Sequence, residues 1–339
     1  MRILRICPGA NDPRHRQREL ALARRGHEVG LVLPDSYGSD WQVAEVEADI
    51  RAWRARLWNR RSIPFHLWPP WVVARAIREF DPDVVDIHEE PYWPAGGELT
   101  WLGRRRPLAM YTAQNTLRSL PRPVAAMQRT VLARAGACYP CCSQAAGVLR
   151  SRGYRGHIEV VPLGVDDRLF AVQPRGDRIG FIGRFTSEKG VDALVRYGPR
   201  LLAVGEGPLA ASIRAAGGEV RSARSFESLF GALAEMAVLA APSRTTRTWR
   251  EQFGRMAIEA MAAGVPVVAT DSGSLPEVVG DAGIIVPEGD AQALHRAIAA
   301  VLAEPGDLGE LGRRRARALY RWDGIAAKLE HVYKEALAA

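Results

Sequence analysis

Glu251 to Asp290 reads EQFGRMAIEAMAAGVPVVATDSGSLPEVVGDAGIIVPEGD, and this stretch decides the fold. It predicts a loop, a helix from about Gly254 to Ala263, Gly264 as its terminator, and a strand entered through Val265-Pro266. A glycine just past the last helical residue is the usual stop signal. A second short apolar run, Gly283–Val286, follows after turn residues. Glu251 precedes the helix and Glu259 lies inside it, so the two carboxylates occupy different sites. The helix start favours an anion, because its first N–H groups have no intrahelical acceptor.

Working outward, the same alternation of short apolar runs with amphipathic stretches fills the chain, the pattern of parallel sheets covered by helices. The second half predicts strands at Ile179–Ile182, Leu201–Val204, Val238–Ala241, Val267–Ala269 and Gly283–Val286. The first half predicts them at Ile3–Cys7, Val29–Leu33, Val84–His88, Leu108–Thr112, Cys138–Cys142 and Glu159–Val161, with a helix over about Pro13–Arg25 closed by Gly26. Only about ten residues separate Gly190 from Leu201, short for a helix with its connections. The aperiodic segment 162–177 marks a boundary. We therefore expect an α/β protein of two Rossmann-like doubly wound domains facing across a cleft. The first would span 1–165 and the second 166–322, with the last helix, about 323–337, a candidate to pack back on the first. Ligands belong at the carboxyl ends of the strands.

Composition narrows the class. The 339 residues are 47% apolar and 25% charged, which excludes disordered, collagen-like and coiled-coil chains. No window holds the roughly 18–20 apolar residues of a membrane span, and Met1–Pro8 lacks a signal-peptide core. The net charge of +8 is uneven: residues 1–160 carry 24 cations and 16 anions, while residues 161–339 carry 22 of each. A basic first half suits an acidic substrate or surface. Cys7, Cys138, Cys141 and Cys142 include a C-x2-C but no second pair at zinc spacing, so they read as small buried hydrophobes in a reducing compartment. The expected location is cytoplasmic, with peripheral attachment at the inner membrane surface left open.

Several motifs then fall in order. E-x7-E followed by AMAAGVPVVATDSG resembles the signature of family 4 of the retaining glycosyltransferases, which adopt the GT-B fold. IGRFTSEKG (Ile182–Gly190) resembles that family's G-R-x(3–4)-K-G loop, VGEGP (Val204–Pro208) its donor-domain turn, and VVPLGVD (Val160–Asp166) its interdomain segment. HEEPYWPAGG (His88–Gly97) and TAQNTLRSLPRP (Thr112–Pro123) resemble a subset of the family.

The resemblance implies a retaining, metal-independent transfer of a sugar from a nucleotide-diphosphate sugar, UDP- or GDP-linked, to an acceptor hydroxyl on a glycan, lipid-linked or small molecule. No cofactor is expected. Negative charge grows on the diphosphate as the glycosidic bond breaks, and cations aimed there stabilise the transition state more than the ground state. Arg184 and Lys189 match the family's diphosphate pair. Glu259 would hold the ribose hydroxyls and Glu251 the donor sugar, with Phe253, Gly254 and Arg255 offering backbone N–H groups. Donor contacts also fall to Gly183, Gly205 and, in the first loop, Gly9, where CPGANDPRHR has no Gly-Gly pair. Asp81-Pro82-Asp83 is formally a DxD metal motif but reads as a helix-to-strand turn, so no metal ligands are assigned. Many members carry a His where this chain has Gln114-Asn115. Those amides can bond a sugar hydroxyl but cannot exchange a proton. His88, Glu89 and Glu90 complete the acceptor-side candidates.

One feature stands apart. Seven of the nine tryptophans precede residue 102, and Arg51, Arg54, Arg56, Arg60 and Arg61 interleave with Trp53 and Trp58, followed by Trp68 and Trp71. Segment 51–71 suits an interfacial helix on anionic lipid, a groove for an anionic acceptor, or a surface helix with its Trp residues turned inward. No recognition motif supports nucleic acid. Two rivals remain: a nucleotide-sugar epimerase on the same fold, and a non-catalytic glycan- or lipid-binding module. A dehydrogenase is disfavoured because the first strand leads into CPGAND rather than G-x-G-x-x-G.

Overall fold

A computed structural model describes residues 1–36, 45–59, 62–222 and 225–339. The chain divides into two compact units, Met1–Pro162 with Trp322–Ala339, and Leu163–Arg321.

The first unit is built on β1 (Arg2–Ile6), β2 (Glu28–Pro34), β3 (Ile50–Ala55), β4 (Val84–Ile87), β5 (Leu108–Thr112), β6 (Ala137–Pro140) and β7 (His157–Ile158). They form one parallel sheet in the order β3-β2-β1-β4-β5-β6-β7. The second unit has β8 (Arg178–Ile182), β9 (Leu201–Val204), β10 (Glu219–Arg221), β11 (Met236–Ala241), β12 (Val267–Thr270) and β13 (Ile284–Val286), parallel in the order β10-β9-β8-β11-β12-β13. Each order reverses direction once, between β1 and β4 and between β8 and β11. That switch point is where an open α/β sheet leaves a crevice at its strand ends.

Burial on both faces explains the unbroken apolar runs of the central strands. In the second unit, Ile179, Phe181, Leu201, Ala203, Val238, Ala240 and Val268 form one core layer with Leu294 and Ile298 of the helix Ala291–Ala303. In the first unit, the last helix, Trp322–Ala338, lays Trp322, Ile325, Leu329, Val332, Tyr333 and Ala336 against Ile3, Val84, Ala109, Ala137 and Tyr139. The short connection after Gly190 is filled by 3-10 turns over Val191–Arg200, interrupted at Gly198.

One expectation about the basic half needs correction. Segment 51–71 is no amphipathic helix: Ile50–Ala55 is the edge strand β3, paired with β2. Ile50, Trp53 and Ala55 turn inward while Arg51 and Arg54 face solvent. Charged outward residues are a common guard on an open sheet edge. Trp53 packs edge-on against Phe80 and donates to Glu79 Oε2 at 3.0 Å. Trp68 is buried too, whereas Trp58 and Trp71 are exposed and meet edge-to-face at 5.6 Å. Arg60 and Arg61 lie outside the described residues.

Three cations of this half, Arg5, Arg16 and Arg18, are buried, but so are Asp12, Glu19, Asp86, Glu89 and Glu90, so burial leaves the positive excess at the surface undiminished. Arg5 bonds Glu19, Arg18 donates to the Tyr139 hydroxyl at 3.2 Å, and both arginines flank Asp86 at 3.8 and 4.0 Å. Tyr139 and Tyr333 both donate to Asp86, the latter at 2.8 Å, so the last helix is hydrogen-bonded into the centre of the sheet. Buried ions persist only when paired and hydrogen-bonded in this way.

Candidate functional site

The residues singled out from the sequence lie at or beyond the carboxyl ends of the strands in their own units. In the second unit the loop after β8 carries Gly183, Arg184 and Lys189, the loop after β9 carries Gly205, and the segment after β11 carries Glu251 and Phe253. Glu251 is buried at 5% exposure. Its Oε2 accepts from Lys189 Nζ at 2.7 Å and from Ser243 Oγ at 2.9 Å. The Lys189 ammonium also sits over the Trp249 ring, 5.1 Å from its centroid. Such a cation–π contact holds a lysine where a flexible stem would otherwise wander. Arg184 projects from the same loop, largely exposed, with Nη2 at 3.6 Å from Glu188 Oε1.

Backbone geometry brings these loops together. Gly190 closes the β8 loop at φ +73°, where a Cβ would lie 1.9 Å from the Pro242 carbonyl oxygen. Gly273 has φ +59°, and a Cβ there would lie 2.0 Å from the Glu251 carbonyl oxygen. Only glycine fits both close approaches. Ser274 then ties the strand-end turn to the Glu251 loop, its N–H donating to Glu251 O at 3.1 Å and its Oγ to Gln252 O at 2.6 Å. Gly183 and Gly205 follow β8 and β9 directly, and their N–H groups donate to Val204 O and Arg221 O in the ladder. The two turns are closely packed, since a Cβ on Gly205 would lie 2.0 Å from Gly183 O.

The helix Arg255–Ala263 starts from Gly254, held at φ +86°. Phe253 is buried edge-on against Tyr320 at 6.0 Å, which fixes the entry to the helix. The first amides of the helix have no intrahelical acceptor. Glu259 is half-buried about one turn on. Sequence reasoning passed over Ser243 and Trp249; their signals were a Pro-Ser step closing a buried strand and a lone aromatic two residues before Glu251.

In the first unit the loop after β4 carries His88, Glu89 and Glu90. The His88 ring stacks on Tyr111, centroids 3.8 Å apart, and its Nδ1 lies 3.1 Å from Arg5 Nη2. Glu89 turns inward, with Oε1 2.7 Å from His66 Nε2 and accepting from Trp68 Nε1 at 3.0 Å. Glu90 Oε2 accepts from Thr112 Oγ1 at 2.5 Å and Oε1 from the Ala113 N–H at 2.8 Å, pinning the β4 and β5 loops to each other. Burial pushes the Glu90 carboxyl up to about 7 against the pull of those donors. Gln114 and Asn115 are buried beside it, with Gln114 Nε2 donating to Thr116 O at 3.1 Å. Gly9 is packed by His15, whose Nδ1 would meet a Cβ at 2.9 Å. Asp81 caps a helix at φ +49° directly before β4. Burial raises the thiols of Cys7 and Cys138 to about 11 and about 12, so they are inert packing groups.

Two parallel sheets of this order, each with its charged loops at the switch point, define a GT-B glycosyltransferase architecture. Residues 176–304 match the family model described as glycosyl transferases group 1, and residues 20–169 match that of glycosyltransferase family 4. The chain belongs to glycosyltransferase family 4. An MMP alpha-(1->4)-mannosyltransferase of Mycolicibacterium hassiacum is 34% identical over 53% of this chain and 49% of its own, so the chain spans about half the length of that relative. A GDP-mannose-dependent alpha-(1-6)-phosphatidylinositol monomannoside mannosyltransferase of Mycobacterium tuberculosis is 28% identical over 68% of this chain and 74% of its own. Among solved structures, the sucrose-phosphate synthase of Thermosynechococcus elongatus superposes with a TM-score of 0.73, 23% identity and 99% coverage of both chains. Among the described residues, no helix is long and apolar enough to cross a membrane.

Proposed function

We propose that this chain is a retaining, metal-independent glycosyltransferase that moves a hexosyl group from a nucleotide-diphosphate sugar to an acceptor hydroxyl. The observation that carries the proposal is the Lys189–Glu251–Ser243 cluster at the strand ends of the second unit. Held between Glu251 and Trp249, Lys189 presents a fixed positive charge, and Arg184 supplies a second, mobile one from the same loop. Charge developing on the leaving diphosphate would be met by groups that need not reorganise during the reaction. Glu251, oriented by two donors, would bind hydroxyls of the transferred sugar, and Glu259 those of the ribose. With amides at Gln114 and Asn115 rather than an imidazole, the leaving phosphate oxygen would take the acceptor proton.

The relatives named for GDP-mannose and a phosphatidylinositol mannoside favour a GDP-linked mannosyl donor and an anionic, lipid-linked acceptor. A basic first half is consistent with that acceptor even after its buried arginines are discounted. Thermal shift across UDP-, GDP-, ADP- and dTDP-sugars tests the donor site. GDP-mannose should raise Tm the most, and no response to any nucleotide sugar would overturn the reading.

A further inference from the structure

The far edge of the first sheet and the last helix hold a cluster that the glycosyl-transfer reading does not use. We propose that His157, Glu159 and His331 bind a late first-row divalent cation of the zinc type, with Glu335 orienting both imidazoles.

The backbone creates this cluster from two simple periodicities. His157 opens the edge strand β7, and Glu159 follows two residues later in extended chain, its N–H donating to Cys138 O at 3.2 Å. Residues two apart in extended chain share a face. His331 and Glu335 are four apart on the helix Trp322–Ala338 and share a face for the helical reason. One ligand atom from each of His157, Glu159 and His331 falls within 4.8 Å of the others.

The distances fit coordination better than hydrogen bonding. Glu159 Oε2 lies 3.8 Å from His157 Nε2 and 3.9 Å from His331 Nε2. Both spacings are too long for hydrogen bonds. Ligands around tetrahedral zinc, at about 2.0–2.1 Å from the metal, are about 3.3 Å apart. The two Glu159 spacings need a contraction of about half an ångström, and the two imidazoles, placed within 4.8 Å of each other, one of up to about 1.5 Å. His157 Nε2 and Glu159 Oε2 are shielded from solvent, and neither has a hydrogen-bond partner.

The opposite ring nitrogens supply the independent argument. Glu335 Oε2 lies 3.7 Å from His157 Nδ1, and its Oε1 lies 4.0 Å from His331 Nδ1. Neither spacing is yet a hydrogen bond, but one carboxylate faces the Nδ1 of both rings, and closing on them would leave both Nε2 atoms aimed at Glu159. A carboxylate behind a ligating imidazole fixes its tautomer and raises its basicity. Two imidazoles and one carboxylate suit zinc or a neighbour of similar softness, whereas magnesium and calcium favour all-oxygen sets. Water would complete the shell. A metal here would staple the helix Trp322–Ala338 to the sheet edge.

The test uses the full chain, stripped with chelator and titrated calorimetrically with Zn2+ alone at neutral pH. Wild type should bind one equivalent saturably, with a rise in Tm. His331→Asn, on a side chain 54% exposed, should keep the fold and lose binding. Glu335→Gln should weaken binding about 10–100-fold. Binding should also fade as acid protonates the imidazoles. The cysteines are all buried and do not compete in the folded chain. Absence of saturable binding, or equal affinity in wild type and His331→Asn, would overturn the proposal. Neither result touches the donor site, which nucleotide-sugar thermal shifts report separately.

Discussion

Lys189 is the residue on which the proposed transfer chemistry turns. It is half-buried, paired with Glu251 and braced by Trp249, while Arg184 on the same loop is exposed. A cation fixed before reaction should matter more to the transition state than one that must be ordered. We expect Lys189→Ala to lower turnover by on the order of 100–1,000-fold and Arg184→Ala by less. Glu259→Gln should act mainly on donor affinity, by about 10–100-fold. Steady-state kinetics on an active donor separates these effects. Unchanged turnover in both cation variants would remove the leaving-group assignment.

Glu90 gives a second prediction at this scale. Burial raises its folded carboxyl to about 7, above the ordinary value of about 4.5. The folded state therefore holds a proton that the unfolded state has released, and stability falls as pH rises from about 4.5 to 7. Glu90→Gln, which mimics the neutral acid, should flatten that slope in denaturant unfolding measured across the window. A variant with the wild-type slope would show that another group is responsible. The sequence marked Glu89 and Glu90 as polar groups at a strand end. It did not reveal that His66 and Trp68, far along the chain, would close over Glu89.

Elements with strong punctuation were legible from sequence, and those without it were not. The helix Arg255–Ala263 was bounded by Gly254 and Gly264, both at positive φ, and was read within a residue. The central strands were equally clear because both of their faces are buried. The edge strand β3 was misread because Arg51 and Arg54, exposed and three apart, also fit one face of a basic helix. Strand β10, only three residues long at the other sheet's edge, left no apolar run to find. The last helix shows what tertiary contact adds: its apolar stripe was visible, but the Tyr333 hydroxyl bonded to buried Asp86 was not. Tyr333→Phe removes a hydrogen bond to a charged group, worth about 1.5–3 kcal/mol. Its urea midpoint should drop accordingly with an unchanged m-value. An unaltered midpoint would mean that Asp86 is satisfied without the helix.

For the molecule as a whole, the fold was readable because motif order, strand alternation and glycine placement agreed with one another. The net charge was the poorer guide. The Arg5–Glu19–Asp86–Arg18 network is buried and balanced, two cations against two acids, and Glu79 meets Arg51 at the sheet edge. Charge counted along a sequence does not distinguish a binding field from buried pairs. The division of labour is more durable: a second unit whose strand-end loops converge on a buried carboxylate and its lysine, and a first unit whose strand-end acids hold their own loops together.

Acceptor-dependent release of nucleoside diphosphate is the most direct measurement of the central claim. With GDP-mannose and a phosphoinositide-type acceptor, wild type should release GDP in proportion to glycosylated product, and Lys189→Ala should not. Turnover of the donor to an isomeric nucleotide sugar without any acceptor, or equal release by the two proteins, would contradict the account.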